Sequence, residues 1–139
     1  MQSCLNKLSF TETNMASRGR GARAKGANFE RYLGHYISDN TPLSARRGLA
    51  QTRGGGAEVS DVEVDYIHIE AKRQKRCSIK AAMDQAINDS TSSGKIPVVI
   101  TKDDRKPIMC TMLMDDWLLF FNSYINQQTM TDVQEHSNK

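Results

Sequence analysis

Glu70 and Lys72 sit in DYIHIEAK, where Ile67, Ile69 and Ala71 alternate with Tyr66, His68, Glu70 and Lys72. That period of two predicts a strand with one apolar face. Glu70 and Lys72 therefore project from the same face, with the backbone carbonyl of Ala71 between them, and a candidate metal ligand stands beside a cation. Asp61 lies nine positions before Glu70 and just beyond Gly54, Gly55 and Gly56, where the chain can bend to bring the two carboxylates together. Hard Mg2+ takes oxygen ligands and keeps several waters, so two carboxylates, a carbonyl and a phosphate oxygen complete a shell. Lys72 would then point at an attacking water or a charged phosphate. A metal ion polarises a phosphodiester, lowers the pKa of bound water and offsets developing negative charge, and phosphodiester hydrolysis is the reaction that needs all three. Asp65 is the rival acid, nearer to Glu70 but sharing neither its strand face nor the position after the glycines. His68 lies on the face of Glu70, where a lone histidine is more often structural or a phosphate contact than a ligand.

The elements that must hold these groups follow from periodicity. In NFERYLGHYI the apolar residues Phe29, Tyr32, Leu33, Tyr36 and Ile37 recur at helical spacing, with Asn28 available as N-cap and Glu30 at the border of the buried face. SDNTPLS is a turn cluster, after which ARRGLAQTR is expected to form a strand ending at the glycines. SIKAAMDQAINDS spaces Ile79, Ala82, Met83, Ala86 and Ile87 as a second helix. IPVVI and PIMCTMLM are expected as two buried strands. Asp115 or Asp116 can cap a last helix through Trp117, Leu118, Phe120, Phe121, Tyr124 and Ile125. The order predicts an α/β fold with a mixed central sheet flanked by helices. Residues 1–17 read as a flexible tail, 18–126 as one domain entered through a basic arm, and 127–139 as a polar tail.

Charge is distributed unevenly over the 139 residues, although the net formal charge is only +3. From Arg18 to Arg53 eight basic residues face only Glu30 and Asp39; from Glu58 to Glu70 five acids occur without Lys or Arg; Lys72 to Lys80 returns five positive charges. An acidic knot between basic flanks suits a site that holds cations at its centre and a polyanion around them. Arg23, Lys25, Arg46, Arg47, Arg53, Arg73, Lys75 and Arg76 are the expected contacts to a phosphate backbone. No apolar run approaches the ~18 residues that span a bilayer, so no membrane partner is expected. Cys4, Cys77 and Cys110 form no pair at zinc or redox spacing, and none has a neighbouring His to make it a nucleophile, which suits structural cysteines in a reducing cytoplasm.

At these residues the sequence resembles the PD-(D/E)xK nuclease superfamily, and within it small phage proteins that look like archaeal Holliday junction resolvases. KGANFERYL resembles the family's first helix, with Glu30 as its glutamate. RRGLAQTRGGG resembles its strand and basic loop, and SDV with IEAK resembles its core motif as Asp61, Glu70 and Lys72. AAMDQAIND, containing Gln85, resembles the helix that follows, and IPVVITKDDRKPIMCTMLMDDWL the closing strands and helix. Ser60 stands where the motif's name has proline, a residue that shapes the turn and does no chemistry. The resemblance implies a restriction-endonuclease-like core and a Mg2+-dependent endonuclease, with Mn2+ as the alternative ion, that cuts four-way DNA junctions as a homodimer. It implies Asp61, Glu70, the Ala71 carbonyl and Glu30 as metal ligands, directly or through water, Lys72 as the group that orients the nucleophile, and Gln85 as a supporting or phosphate contact. Met112, Met114, Trp117 and Phe121 are candidates for the dimer surface. A phage gene would place the protein in its host's cytoplasm.

Three other classes compete. An inactive DNA-binding relative is disfavoured because the whole set of acids and lysine is present. A nicking, restriction-type or general endonuclease would share the site, though base-specific cutting normally needs recognition elements for which 139 residues leave little room. A phosphate-handling enzyme acting on free nucleotides would want a glycine loop cradling phosphates at a helix N-terminus, whereas GGGAEVSD runs into acids that would repel the ligand unless a metal intervened; no nucleotide cofactor is expected.

Overall fold

A computed structural model describes the backbone of residues 5–49 and 59–137, and the side chains of residues 19–49 and 59–131. The elements are α1 (Leu5–Asn40), β1 (Arg46–Arg47), β2 (Val62–Glu63), β3 (Ile67–Lys72), α2 (Ile79–Ser90), β4 (Ile96–Lys102), β5 (Ile108–Met112) and α3 (Met114–Ser137). The fold is α/β, with one mixed five-stranded sheet in the order β1-β2-β3-β4-β5. Among the described residues only β3 and β4 run parallel, in the register Glu70↔Val99 and Lys72↔Thr101, and α2 makes the crossover that a parallel pair requires.

Strand alternation divides the sheet into two packed faces. Val62, Ile69, Val98 and Ile100 turn toward Phe29 and Leu33 of α1, whereas Val99 meets Ala82, Met83 and Ala86 of α2. His68, Glu70 and Lys72 share the α2 side by the same alternation. Burying a Leu33- or Ile69-sized side chain is worth ~1.5–3 kcal/mol, so these few residues carry much of what holds the site-bearing strands. Gly34 lets β1 approach α1, since a Cβ there would lie 3.1 Å from the Arg46 Cα. Ser38 pins the intervening turn by accepting from the Ala45 N–H at 2.8 Å and donating to the Ala45 carbonyl at 3.1 Å.

Several elements differ from the sequence reading. The first helix does not start at Asn28 but runs through the expected tail and basic arm from Leu5. Leu, Met, Ala, Arg and Lys favour helix, and three glycines at ~1 kcal/mol each are tolerated. Asn28 thus lies inside α1, where its Oδ1 accepts from Arg31. At the other end α3 continues through the expected polar tail to Ser137, in a stretch without Gly or Pro to stop it. Asp115 and Asp116 occupy its first turn, where they favour the helix dipole, and do not cap it. The strand expected over ARRGLAQTR is confined to Arg46–Arg47 among the described residues; Arg53 and the three consecutive glycines lie outside them. β2 was not anticipated at all, being too short to show a period. Tyr66 is not part of β3 but precedes it at φ 72°. β5 is not buried: it forms the sheet edge, with Ile108, Met109 and Cys110 exposed.

Candidate active site

Asp61 is positioned by its backbone. Its carbonyl accepts from the Gly48 N–H at 2.8 Å and its own N–H donates to the Ile69 carbonyl at 2.9 Å, so it is tied to the segment after β1 and to β3 at once. Gly48 is essential to that closeness, because a Cβ there would stand 2.0 Å from the Ser60 carbonyl oxygen. Ser60 is buried and donates its hydroxyl to the Val62 carbonyl at 2.7 Å. The turn that proline would shape is thus held by a hydroxyl. From this anchored position the Asp61 Oδ2 accepts from the Ala71 N–H at 2.8 Å.

That contact also orients the next oxygen. In an extended strand the N–H and C=O of one residue face the same neighbour, so the Ala71 carbonyl looks toward the Asp61 side of β3. Glu70 and Lys72, on either side of it, form an ion pair, and the Lys72 Nζ also donates to the Gln85 Oε1 of α2 at 3.3 Å. Glu70 is only 4% exposed, and a carboxylate so deeply placed needs a paired charge. Glu30 reaches the cluster from α1, held by a 2.6 Å bond from the Arg47 Nε. Its partner is thus not Arg31 or Arg23, the near neighbours in sequence, but a residue brought in by β1.

The electrostatics follow from this crowding. Burial pushes the Asp61 carboxyl up from 3.8 to about 6; the charges of Glu70 and Glu30 add to the rise, while the Ala71 N–H and Lys72 oppose it. Burial pulls the Lys72 ammonium down, but its hydrogen bond to Glu70 and the charges of Glu70 and Asp61 outweigh that and leave it raised. Burial likewise lowers His68, whose Nε2 is buried without a hydrogen-bond partner, as a neutral ring beneath α2 would be. The site thus concentrates acid oxygens in a desolvated corner and sets one firmly charged ammonium against them.

A scan against protein-family models and a search of curated proteins find no match.

Of the residues singled out from sequence, Asp61, Glu70, Ala71, Lys72 and Gln85 come together, with Glu30 within electrostatic reach. Asp65 does not join them: it is exposed and lines a separate cleft with Arg46, Glu63 and Lys95. No three His, Cys, Asp or Glu side chains among the described residues are grouped tightly enough to hold a metal by themselves. The donor set nevertheless fits a hard cation: two carboxylates, one unwilling to carry its charge alone, beside a backbone carbonyl, with water and phosphate left to fill the rest.

The basic residues divide by partner. Arg46 pairs with Glu63 at 2.7 Å, Arg47 with Glu30, and Arg73 with Asp104 at 2.9 Å. Lys25, Arg73 and Lys75 line a cleft of about 500 Å³ between α1 and the segment after β3, and Arg23 and Arg76 are exposed. Sequence reasoning passed over Gly48 and Ser60 as positioning residues, and over Arg47 as the clamp on Glu30. A glycine directly after the arginine pair was the only signal for Gly48, and the turn-shaping proline of the motif's name the only one for Ser60; nothing local marks Arg47.

Proposed function

We propose that this chain is a metal-dependent DNA endonuclease with a restriction-endonuclease-like core of the PD-(D/E)xK type, cutting four-way junctions as a homodimer in a reducing cytoplasm, that of a bacterial host if the gene is a phage's. The observation that carries the reading is the convergence of Asp61, Glu70 and Lys72 around Ala71, with the Asp61 carboxyl pushed up to about 6 by burial and by its acidic neighbours. Beside the Glu70–Lys72 and Glu30–Arg47 pairs, Asp61 has no ion pair among the described residues; a buried carboxylate in that position costs stability, and a bound cation is the simplest group to offset it. Asp61, Glu70 and the Ala71 carbonyl would hold Mg2+ or Mn2+, with Glu30 ligating directly or through water, and the bound ion would supply charge neutralisation at the scissile phosphate. Lys72, braced between Glu70 and Gln85, would donate to the attacking water or a phosphate oxygen. Arg47 would hold Glu30, and the cleft of Lys25, Arg73 and Lys75 would follow the phosphate backbone without reading bases. Two equivalent scissile phosphates in a four-way junction call for two equivalent sites, hence the dimer.

The test is a cleavage assay on labelled immobile junction, linear duplex and single strand, in Mg2+ or EDTA, with Glu70→Ala as the control for contaminating nuclease. Symmetric, Mg2+-dependent nicks near the branch point, lost in the variant while junction binding persists, are the expected result. Equal cutting of duplex and junction would keep the site and move the function to a general endonuclease. Tight binding with no cutting would leave a binding protein, and cutting retained by Glu70→Ala would overturn the site.

A further inference from the structure

Helix α3 reverses the usual relation between apolar side chains and water. Met114, Trp117, Phe121 and Ile125 lie along one stripe, Phe120 and Tyr124 beside it, and Leu119 on the opposite side; all are at least 41% exposed. The helix makes no substantial packing contact with any other element among the described residues. Trp117 and Phe121 stack on each other, their ring centroids 4.8 Å apart. A helix with so broad an apolar surface belongs in an interior, and no other element among the described residues supplies one.

The sheet edge is also left open among the described residues. β5 exposes Ile108 (37%) and Cys110 on one face and Met109 (53%) on the other, followed by Leu113 at 41%, and Cys110 and Met112 border one cleft with Met114 and Trp117 of α3. α3 cannot readily fold back over that strand, because Leu113 is the only residue between β5 and α3, whereas a helix that returns to its own sheet usually follows a loop of ~2–6 residues. From Trp117 to Thr131 there is no charged residue. That excludes a nucleic acid as occupant, and it lacks the cationic polar face of a helix that lies on a membrane. It also means that two such helices can meet without like-charge repulsion.

We propose that α3 is an exchanged helix: two copies of this chain pair about a two-fold axis, with α3 of each packed against α3 of the other and over the other's β5 edge. A surface and a matching cover on one chain that meet only at the corner between β5 and α3, and cannot readily pack along their length, favour such exchange. A stable pair needs ~800 Å² per partner, and the part-exposed Trp117, Phe120, Phe121 and Tyr124 with Met114, Leu119 and the open β5 edge bring large apolar area toward it. The proposal gives a location to the homodimer named above but does not require nuclease activity; an inactive dimer would leave it standing, and a cutting monomer would overturn it alone.

Light scattering of the full-length protein at micromolar concentration is expected to give twice the 15.6 kDa chain mass. Leu119→Asp and Tyr124→Asp should each halve that mass while keeping the far-ultraviolet signature of the sheet. Alkylation with iodoacetamide, mapped by peptide mass, should find Cys110 protected about ten-fold or more in the wild-type dimer and fully reactive in the variants. A wild-type monomer, a dimer that survives both charges, or a dimer whose Cys110 reacts as fast as in the variants would each overturn the exchange.

Discussion

The corner around Ala71 and the far end of the chain at α3 break the same rule in opposite directions. At the first, Glu70 and Asp61 are taken out of water although charge is costly to bury; at the second, Trp117, Phe120 and Tyr124 are left in water although their burial would be favourable. Each departure is unfavourable for a lone chain. On the function proposed above, a cation and a polyanion would offset the crowded acid corner; on the exchange proposed above, a second copy would cover the bare apolar helix. Local misfit of this kind, where an otherwise consistent sequence stops agreeing with its own fold, is what marks functional surface.

The sharpest break in the comparison is Lys72→Ala. It removes the one ammonium that compensates Glu70, so the expected result is a fall in cutting of about 10²–10³-fold with junction affinity nearly unchanged. Gln85→Ala, which removes only the brace on Lys72, should cost far less. Equal losses in the two variants would show that α2, not the strand pair, sets the ammonium's position.

How much of this could be read from sequence depends on the range of the forces involved. The alternation of β3 and the helical spacing of α2 are local, and both Glu70–Lys72 and Gln85 stand where those periods put them. Asp61, not Asp65, is the acid that reaches the Ala71 N–H, since the ties of its backbone to Gly48 and Ile69 carry it against β3. The Arg47–Glu30 pair was not legible: it spans 17 positions and depends on β1 lying against α1. β5 was misread because Ile, Met and Cys in a run look the same whether their cover comes from their own chain or from a second one. Periodicity reports which face is apolar, not what covers it.

Gly48→Ala tests whether the site region is as tightly fixed as α3 is loosely held. The added methyl would fall 2.0 Å from the Ser60 oxygen, so either the turn before β2 shifts or the strands part. A cost of ~1–3 kcal/mol is expected, read as a lower urea midpoint at unchanged slope, together with loss of cutting. Gly34→Ala, whose methyl meets backbone at 3.1 Å, should cost less. Phe120→Ala on α3 should leave the urea midpoint of a monomeric Leu119→Asp background where it was, since among the described residues α3 packs substantially on no other element.

The smallest expected effect carries the most specific sign. The Asp61 carboxyl is raised in the folded chain from 3.8 to about 6, so between those values the folded state holds a proton that the unfolded state has released. Stability contributed by this group therefore falls as pH rises through that window and stays lower above it. Asp61→Asn keeps an oxygen that can accept from the Ala71 N–H and carries no charge to desolvate. At pH 7.5 the variant should melt a few degrees higher than wild type, although it cannot cut, and the gain should shrink toward zero as the pH is lowered below 4. Mg2+ should raise the wild-type melting temperature at pH 7.5, by mass action on the folded state, and raise that of the variant less. If Asp61→Asn melts lower than wild type at pH 7.5, the carboxylate is held by its hydrogen bond more than it is strained by burial, and the acid corner would be an ordinary structural network with no call for a cation.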